Sequence, residues 1–216
     1  MIHVLIIGIG DTKKAEQSAI YQMTKKIVYV SRDRVEDRIY AAKNIWTALN
    51  GGLVQAADDD VICLLDGDDE LNGCYALEPI RAAYQSPNVW LTYGSYERMS
   101  GDPRTFNGPY RSDDRVRTFR WHASHLKTFR YGLWKHLPES ALKDPDGEWL
   151  KVCSDVAIMI PLIEMAGMLR TRYIKQTIYQ YNDLNPENDH KTRAEEQLRI
   201  AKWLRTQKPF ERLEKL

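Results

Sequence analysis

The sequence predicts an α/β fold, a single domain with a mostly parallel central sheet flanked by helices. Three observations carry that expectation. HVLIIGIG (3–10) and VICLLD (61–66) are short, continuous apolar runs, as strands buried on both faces require. Stretches of helical spacing separate these runs, so successive strands are joined by crossovers and lie parallel. The composition, 43% hydrophobic and 28% charged, supports a packed core and excludes a disordered or fibrous chain.

The elements follow in order. HVLIIGIG ends in glycines and is the first strand; residues 13–24 are expected to form a helix, and KIVYVS (26–31) a second strand. Residues 34–50 place Val35, Ile39, Ala42, Ile45, Trp46 and Leu49 near the helical period, and Gly51-Gly52 ends that helix. VICLLD is the third strand, followed by a helix near 73–85 and a strand at VWLTYG (89–94). SGDPRTFNGPYRSDD (100–114) is rich in turn formers and reads as a loop over the sheet. Residues 121–136 and 154–168 are expected to be helical, YIKQTIYQYN (173–182) a late strand, and 192–206 a charged helix. There is no internal repeat or interdomain linker in the 216 residues, so one domain is expected over 1–216.

Charge and cysteine usage exclude several classes. Lys plus Arg number 31 and Asp plus Glu 30, so the net charge of +1 argues against a general polyanion partner. No apolar run reaches the roughly 20 residues that span a bilayer, so no integral membrane segment is expected. MIHVLIIGIGD lacks the basic start and small-residue cleavage site of a signal peptide. Cys63, Cys74 and Cys153 are odd in number and lack zinc-like spacing, so the reducing cytoplasm of the producing or infected cell is the expected location.

The chemistry concentrates in DDDVICLLDGDDE (58–70), which holds seven acids and no base. Asp66, Asp68 and Asp69 follow directly on the third strand. Strand ends on one edge of an open α/β sheet form the ligand crevice. Gly67 is expected to let the chain turn sharply and bring the carboxylates together. Converging carboxylates repel and call for a cation, and hard oxygen donors suit Mn²⁺ or Mg²⁺, ions that bridge to phosphates. The plainer reading is that one of these aspartates only caps the next helix.

VICLLDGDDEL resembles the DxD region of GT-A fold glycosyltransferases, especially glycosyltransferase family 2. RIYAAKNIWTAL is similar to the family's helix before that strand, CSDVAIMIPLIEMAG to the helix start that holds its catalytic base, and IYQYNDLNPENDHK to the segment that closes its active sites. The likeness covers most of residues 1–191 in the right order. It implies a GT-A-like (Rossmann-like) domain with a nucleotide-sugar-binding half (1–100), an acceptor-side half (101–191) and a C-terminal helix (192–216).

The implied reaction is metal-dependent transfer of a sugar from a nucleotide-diphosphate sugar, a UDP-sugar first among them, to an acceptor hydroxyl. Asp66 and Asp68 match the DxD carboxylates for donor ribose and metal. Asp33 in VSRDR matches the acid that reads the base or ribose, and Gly8 and Gly10 line the first strand's exit. Lys43, Asn44 and Gly67 complete the donor side. His190 matches a late histidine that ligates the metal, although a lone loop histidine is more often merely exposed, and Lys191 can neutralise the leaving diphosphate. Where the family has a proline and Tyr-Asn after the first strand, this chain has GIGD, and GIGDTK lacks the third glycine of a dinucleotide fingerprint.

Asp155 is the expected general base of an inverting transfer, taking the acceptor hydroxyl's proton as the new bond forms. Ser154 is the expected N-cap, and Ser-Asp stands where the family has Glu-Asp. The plainer reading is that Asp155 only complements the helix dipole. Glu164 is the alternative base, unless it pairs with a core-facing arginine.

Residues 111–136 hold seven Lys/Arg against two Asp and interleave them with aromatics. Arg117, Arg120 and Lys127 can stabilise the departing diphosphate; the same surface can hold a polyanionic acceptor such as DNA; or the stretch is an amphipathic helix with Phe129, Leu133 and Trp134 in the core. The acceptor stays open among a glycan, a protein and a hydroxymethylated base in DNA. A sugar nucleotidyltransferase and a non-catalytic nucleotide-sugar-binding module are the competing classes.

Overall fold

A computed structural model describes residues 1–34, 36–105, 108–111 and 116–216. Val35, expected on the second helix, and residues 112–115 of the basic stretch lie outside the described residues.

The described elements are β1 (Ile2–Ile9), α1 (Lys13–Ile20), β2 (Lys26–Asp33), α2 (Tyr40–Asn50), β3 (Val61–Asp66), β4 (Glu70–Leu71), α3 (Glu78–Ala83), β5 (Leu91–Arg98), β6 (Lys127–Arg130), α4 (Tyr131–Trp134), α5 (Ser154–Ala166), β7 (Thr171–Tyr181), α6 (Asp189–Thr192) and α7 (Ala194–Thr206). The strands form one sheet in the order β2-β1-β3-β6-β5-β7-β4. β1 runs parallel to β2 and β3, and β5 parallel to β7. β6 is antiparallel to both β3 and β5, and β4 is antiparallel to β7. The sheet is therefore mixed, with its longer strands sharing one direction.

The apolar runs divide by alternation, as a strand's period of two dictates. Leu5, Ile7, Ile62 and Leu64 face a core shared with α2, α4, α5 and α7. Val4, Ile6, Cys63 and Leu65 face a second core with Ala15 and Ala19 of α1 and Ile80 of α3. α5 is apolar almost all round, and every residue from Val156 to Ala166 except Glu164 is buried, which its central position explains.

The expected helix over 121–136 is not there. Residues 127–130 are a strand of the sheet, and α4 is a single turn after it. KTFR fills the slot between β3 and β5, where strand pairing on both sides overrides local preference. Its charges are buried but met: Arg130 Nε donates to the Val89 carbonyl at 2.8 Å, and Nη1 to the Asp59 carbonyl at 2.9 Å. Phe129, Leu133 and Trp134 do reach the core.

Two helix starts also differ from expectation. α2 begins at Tyr40 rather than near 34, where the Asp33 carboxylate accepts the N–H groups of Arg34, Ile39 and Tyr40 at 2.8–2.9 Å. α5 is preceded by Cys153 at φ +61°, and Ser154 is the first helical residue, not the cap. The C-terminal helix stops at Thr206; beyond it Phe210, Leu213 and Leu216 pack on the α5 core, and the Leu213 N–H donates to the Met165 carbonyl at 2.9 Å.

Candidate active site

β1 and β3 end side by side, and two glycines let them. A Cβ on Gly67 would lie 2.7 Å from the Gly8 Cα, and a Cβ on Gly8 would lie 2.9 Å from the Gly67 Cα. The Gly67 N–H donates to the Ile7 carbonyl at 2.7 Å. Gly67 sits in the expected turn, where the Asp69 N–H donates to the Asp66 carbonyl at 3.1 Å, and it is needed for close approach as well. Gly67→Ala is expected to cost about 1–3 kcal/mol through overpacking, read by urea unfolding. Unchanged stability would show that the two strand ends separate freely.

Beyond this contact lies a cleft of about 220 Å³ whose lining includes Gly8, Asp33, Asn44, Asp66 and Asp68. Among the described residues, Gly10, Lys43, Gly67, Arg120, Asp155, His190 and Lys191 do not line it, although Ser154, next to Asp155, does. Asn44 is 2% exposed and fastens α2 to β2, accepting from the Ser31 hydroxyl and donating to its carbonyl. Lys191 Nζ donates to the carbonyls of Asp183 (2.6 Å) and Asn185 (3.0 Å), so it organises the loop that covers the acidic turn.

The three aspartates meet different surroundings. Burial alone would raise the Asp66 carboxyl, but the Lys127 ammonium, 3.5 Å from Oδ2, holds it below its ordinary value. Asp68 accepts from Asn185 Nδ2 at 2.6 Å, and burial followed by repulsion from Asp66 pushes it up. Asp69 is fully buried, accepts from the Tyr179 hydroxyl (2.5 Å) and the Asn182 N–H (2.7 Å), and is pushed well up by burial and its two neighbours.

His125 completes the cluster. Its ring stacks on Tyr179 at 4.6 Å and on Tyr181 at 5.5 Å, and burial pushes its imidazole down to about 3, so the ring is neutral. Its Nδ1 is buried without a hydrogen-bond partner, 3.5 Å from Asp66 Oδ2. Asp66, Asp69 and His125 each bring one ligand atom to within 4.8 Å of the others. Two carboxylates and a neutral imidazole are a donor set that fits Mn²⁺ or Mg²⁺. His190 is outside this group, with Nδ1 3.3 Å from the Tyr181 hydroxyl, and burial lowers its basicity.

On the opposite wall, Tyr40 is held at φ +63°. Its hydroxyl accepts from Arg193 Nη2 at 2.8 Å, and Arg38, Lys151 and Arg193 gather 4.7–5.9 Å from its ring centre. Non-glycine residues in this backbone region are costly and concentrate at binding sites. Among the described residues the two such non-glycine positions are Tyr40, which lines the cleft, and Cys153, next to Ser154, which also lines it.

Sequence reasoning missed His125, Tyr179, Asn185, Arg38 and Tyr40, and it read Lys127 as a diphosphate ligand where the structure sets it against Asp66. His125 lies just ahead of β6, and the helical reading of 121–136 hid both it and Lys127. Arg117, expected near a diphosphate, instead forms a two-pronged pair with Glu164 at 2.5 and 2.8 Å and donates to the Leu204 carbonyl at 2.6 Å. That pair lines a separate cavity behind α5 and removes Glu164 as a rival base.

No protein-family model matches the sequence, and no curated protein sequence does either. Solved structures match in fold. S. aureus TarS 1-349 is 15% identical with a TM-score of 0.58, over 84% of this chain and 60% of that one. Glucosyl-3-phosphoglycerate synthase from Mycobacterium tuberculosis, solved with Mn²⁺, UDP-glucose and phosphoglyceric acid, is 12% identical with a TM-score of 0.56, over 95% and 79%. The mannosyltransferase PcManGT from Pyrobaculum calidifontis, solved with GDP-Man and Mn²⁺, is 14% identical with a TM-score of 0.54, over 95% and 65%. This chain spans about three fifths of TarS 1-349. Among the described residues no helix is long and apolar enough to cross a membrane. The mixed sheet, the acidic turn at the end of β3 and these likenesses together establish an α/β fold of the GT-A type.

Proposed function

We propose that the chain is a metal-dependent glycosyltransferase that moves a sugar from a nucleotide-diphosphate sugar to an acceptor hydroxyl with inversion. The observation that carries this reading is the acidic turn itself: Asp66 and Asp68 open into a cleft between the ends of β1 and β3, with Asp69 and His125 behind them. The M. tuberculosis and P. calidifontis proteins of the same fold were solved with Mn²⁺ and a nucleotide sugar, which supports a UDP- or GDP-linked donor.

In this reading Gly8, Asp33 and Asn44 border the nucleoside, Asp66 meets the ribose, and Asp66 and Asp68 would hold the metal from the cleft, Asp66 also grouping with Asp69 and His125. The geometry favours His125 over His190 as the nitrogen donor, because its Nδ1 is buried, neutral and unpartnered beside Asp66. A bound divalent ion would supply positive charge to the phosphates of the leaving nucleotide. Asp155 takes the acceptor hydroxyl's proton while that oxygen bonds to the anomeric carbon and the carbon–diphosphate bond breaks. Lys191 and Arg120 serve the donor side, Lys191 by holding the covering loop. The acceptor is a glycan, a protein or a hydroxymethylated base in DNA, and offering each with a panel of nucleotide sugars separates them by product mass.

Incubation with nucleotide sugars and Mn²⁺ tests the reaction class: free nucleoside diphosphate is expected, whereas nucleoside triphosphate and sugar 1-phosphate formed only when pyrophosphate is added would indicate a nucleotidyltransferase. Asp68→Asn is expected to keep the fold and to weaken Mn²⁺-supported nucleotide binding. The loss should exceed the roughly 10–100-fold that removing an outer-shell partner costs a metal site. Full nucleotide affinity in EDTA, or in that variant, would sink the metal assignment.

A further inference from the structure

Lys127 is an unusual neighbour for a cation site. It is 5% exposed, sits opposite Leu64 in the β3–β6 register, and places Nζ 3.5 Å from Asp66 Oδ2. His125, just ahead of the strand, brings Nδ1 as close to that oxygen. Asp68 and Asp69 are met by neutral donors: the Asn185 amide, the Tyr179 hydroxyl and the Asn182 N–H. The acidic turn therefore carries its own fixed cation on the one carboxylate that both opens to the cleft and belongs to the Asp66–Asp69–His125 group.

A buried ammonium has no room to swing away. A divalent ion sharing Asp66 with it would lie a few ångströms off, where partial exclusion of water leaves like charges poorly screened. The diphosphate of an incoming nucleotide sugar reverses this balance, since its negative charges offset both cations. We propose that Lys127 is a positioning residue that keeps the acidic turn from taking a divalent ion alone, so that ion and nucleotide bind cooperatively. This rests on the reading of the cleft as a nucleotide-sugar site.

The test is a Mn²⁺ titration, followed by the electron paramagnetic resonance signal of free Mn²⁺, with and without saturating UDP. Wild type, Lys127→Met and Lys127→Arg are compared, with thermal unfolding as the folding control. In the wild type, UDP is expected to tighten Mn²⁺ binding about tenfold or more, and Mn²⁺ to tighten UDP binding by the same factor. Lys127→Met should bind Mn²⁺ about tenfold more tightly without UDP and lose most of the coupling, whereas Lys127→Arg should keep it. Equal Mn²⁺ affinity of wild type and Lys127→Met without UDP overturns the role of Lys127 while leaving the glycosyltransferase reading intact. Mn²⁺ binding to neither protein, even with UDP, overturns the metal reading and this inference together. If Lys127→Met does not fold, the wild type still decides: Mn²⁺ binding that UDP leaves unchanged overturns the proposal.

Discussion

Asp155→Asn is expected to lower sugar transfer by about 10²–10⁴-fold, the usual contribution of a general base, and to leave UDP affinity nearly unchanged. The asymmetry follows from position. Asp155 lies in the first turn of α5, outside the lining of the cleft, while its neighbour Ser154 lies on it. On the proposed reading a group there would meet the acceptor hydroxyl rather than the nucleotide, and so act mainly in the transition state. Asparagine keeps the shape and loses the ability to accept a proton. Nuclear magnetic resonance of the first-formed product should show an inverted anomeric centre. Retention of configuration, or near-normal transfer by the variant, would assign the chemistry to another group.

The second large effect is on stability. Arg117 and Glu164 are 10% and 8% exposed and pair through two contacts. Removing one partner strands the other's charge, so Arg117→Met is expected to cost about 3–5 kcal/mol in urea unfolding. The double variant Arg117→Met, Glu164→Leu should recover most of that loss, because a packed apolar pair replaces a buried ion pair at little net cost. Nucleotide affinity of the folded protein should not change in either. A loss of nucleotide affinity at unchanged stability would return Arg117 to the diphosphate.

Much of the frame was legible because burial leaves a mark on composition. β1 and β3 are continuous apolar runs, and the carboxylates at the end of β3 had no structural need to be three. β6 was not legible: Lys127 and Arg130 make KTFR polar, and only its partners on both sides explain why it is a strand. The His125 and Lys127 contacts with Asp66 were hidden for the same reason, since they depend on a pairing between segments far apart in sequence. The start of α2 was misplaced; there the Asp33 carboxylate, outside the helix, accepts the N–H groups of Ile39 and Tyr40. Arg117 and Glu164 were each weighed for chemistry, and the possibility of a core-facing arginine partner for Glu164 is the one the fold realises.

The place of β6 also bears on how the chain assembles. β1, β2 and β3 find their partners within the first 66 residues, whereas the middle of the sheet closes only when Lys127–Arg130 slot in between β3 and β5. Pairings between distant segments carry a loop-closure cost before any contact rewards them, so this join is the slow kind of event in a folding reaction. The same strand delivers the ammonium that faces Asp66. Without β6, Asp66 lacks this opposing ammonium, so the ion pair is gained only with the strand. The charge pattern around Asp66 thus rewards the correct insertion of the central strand.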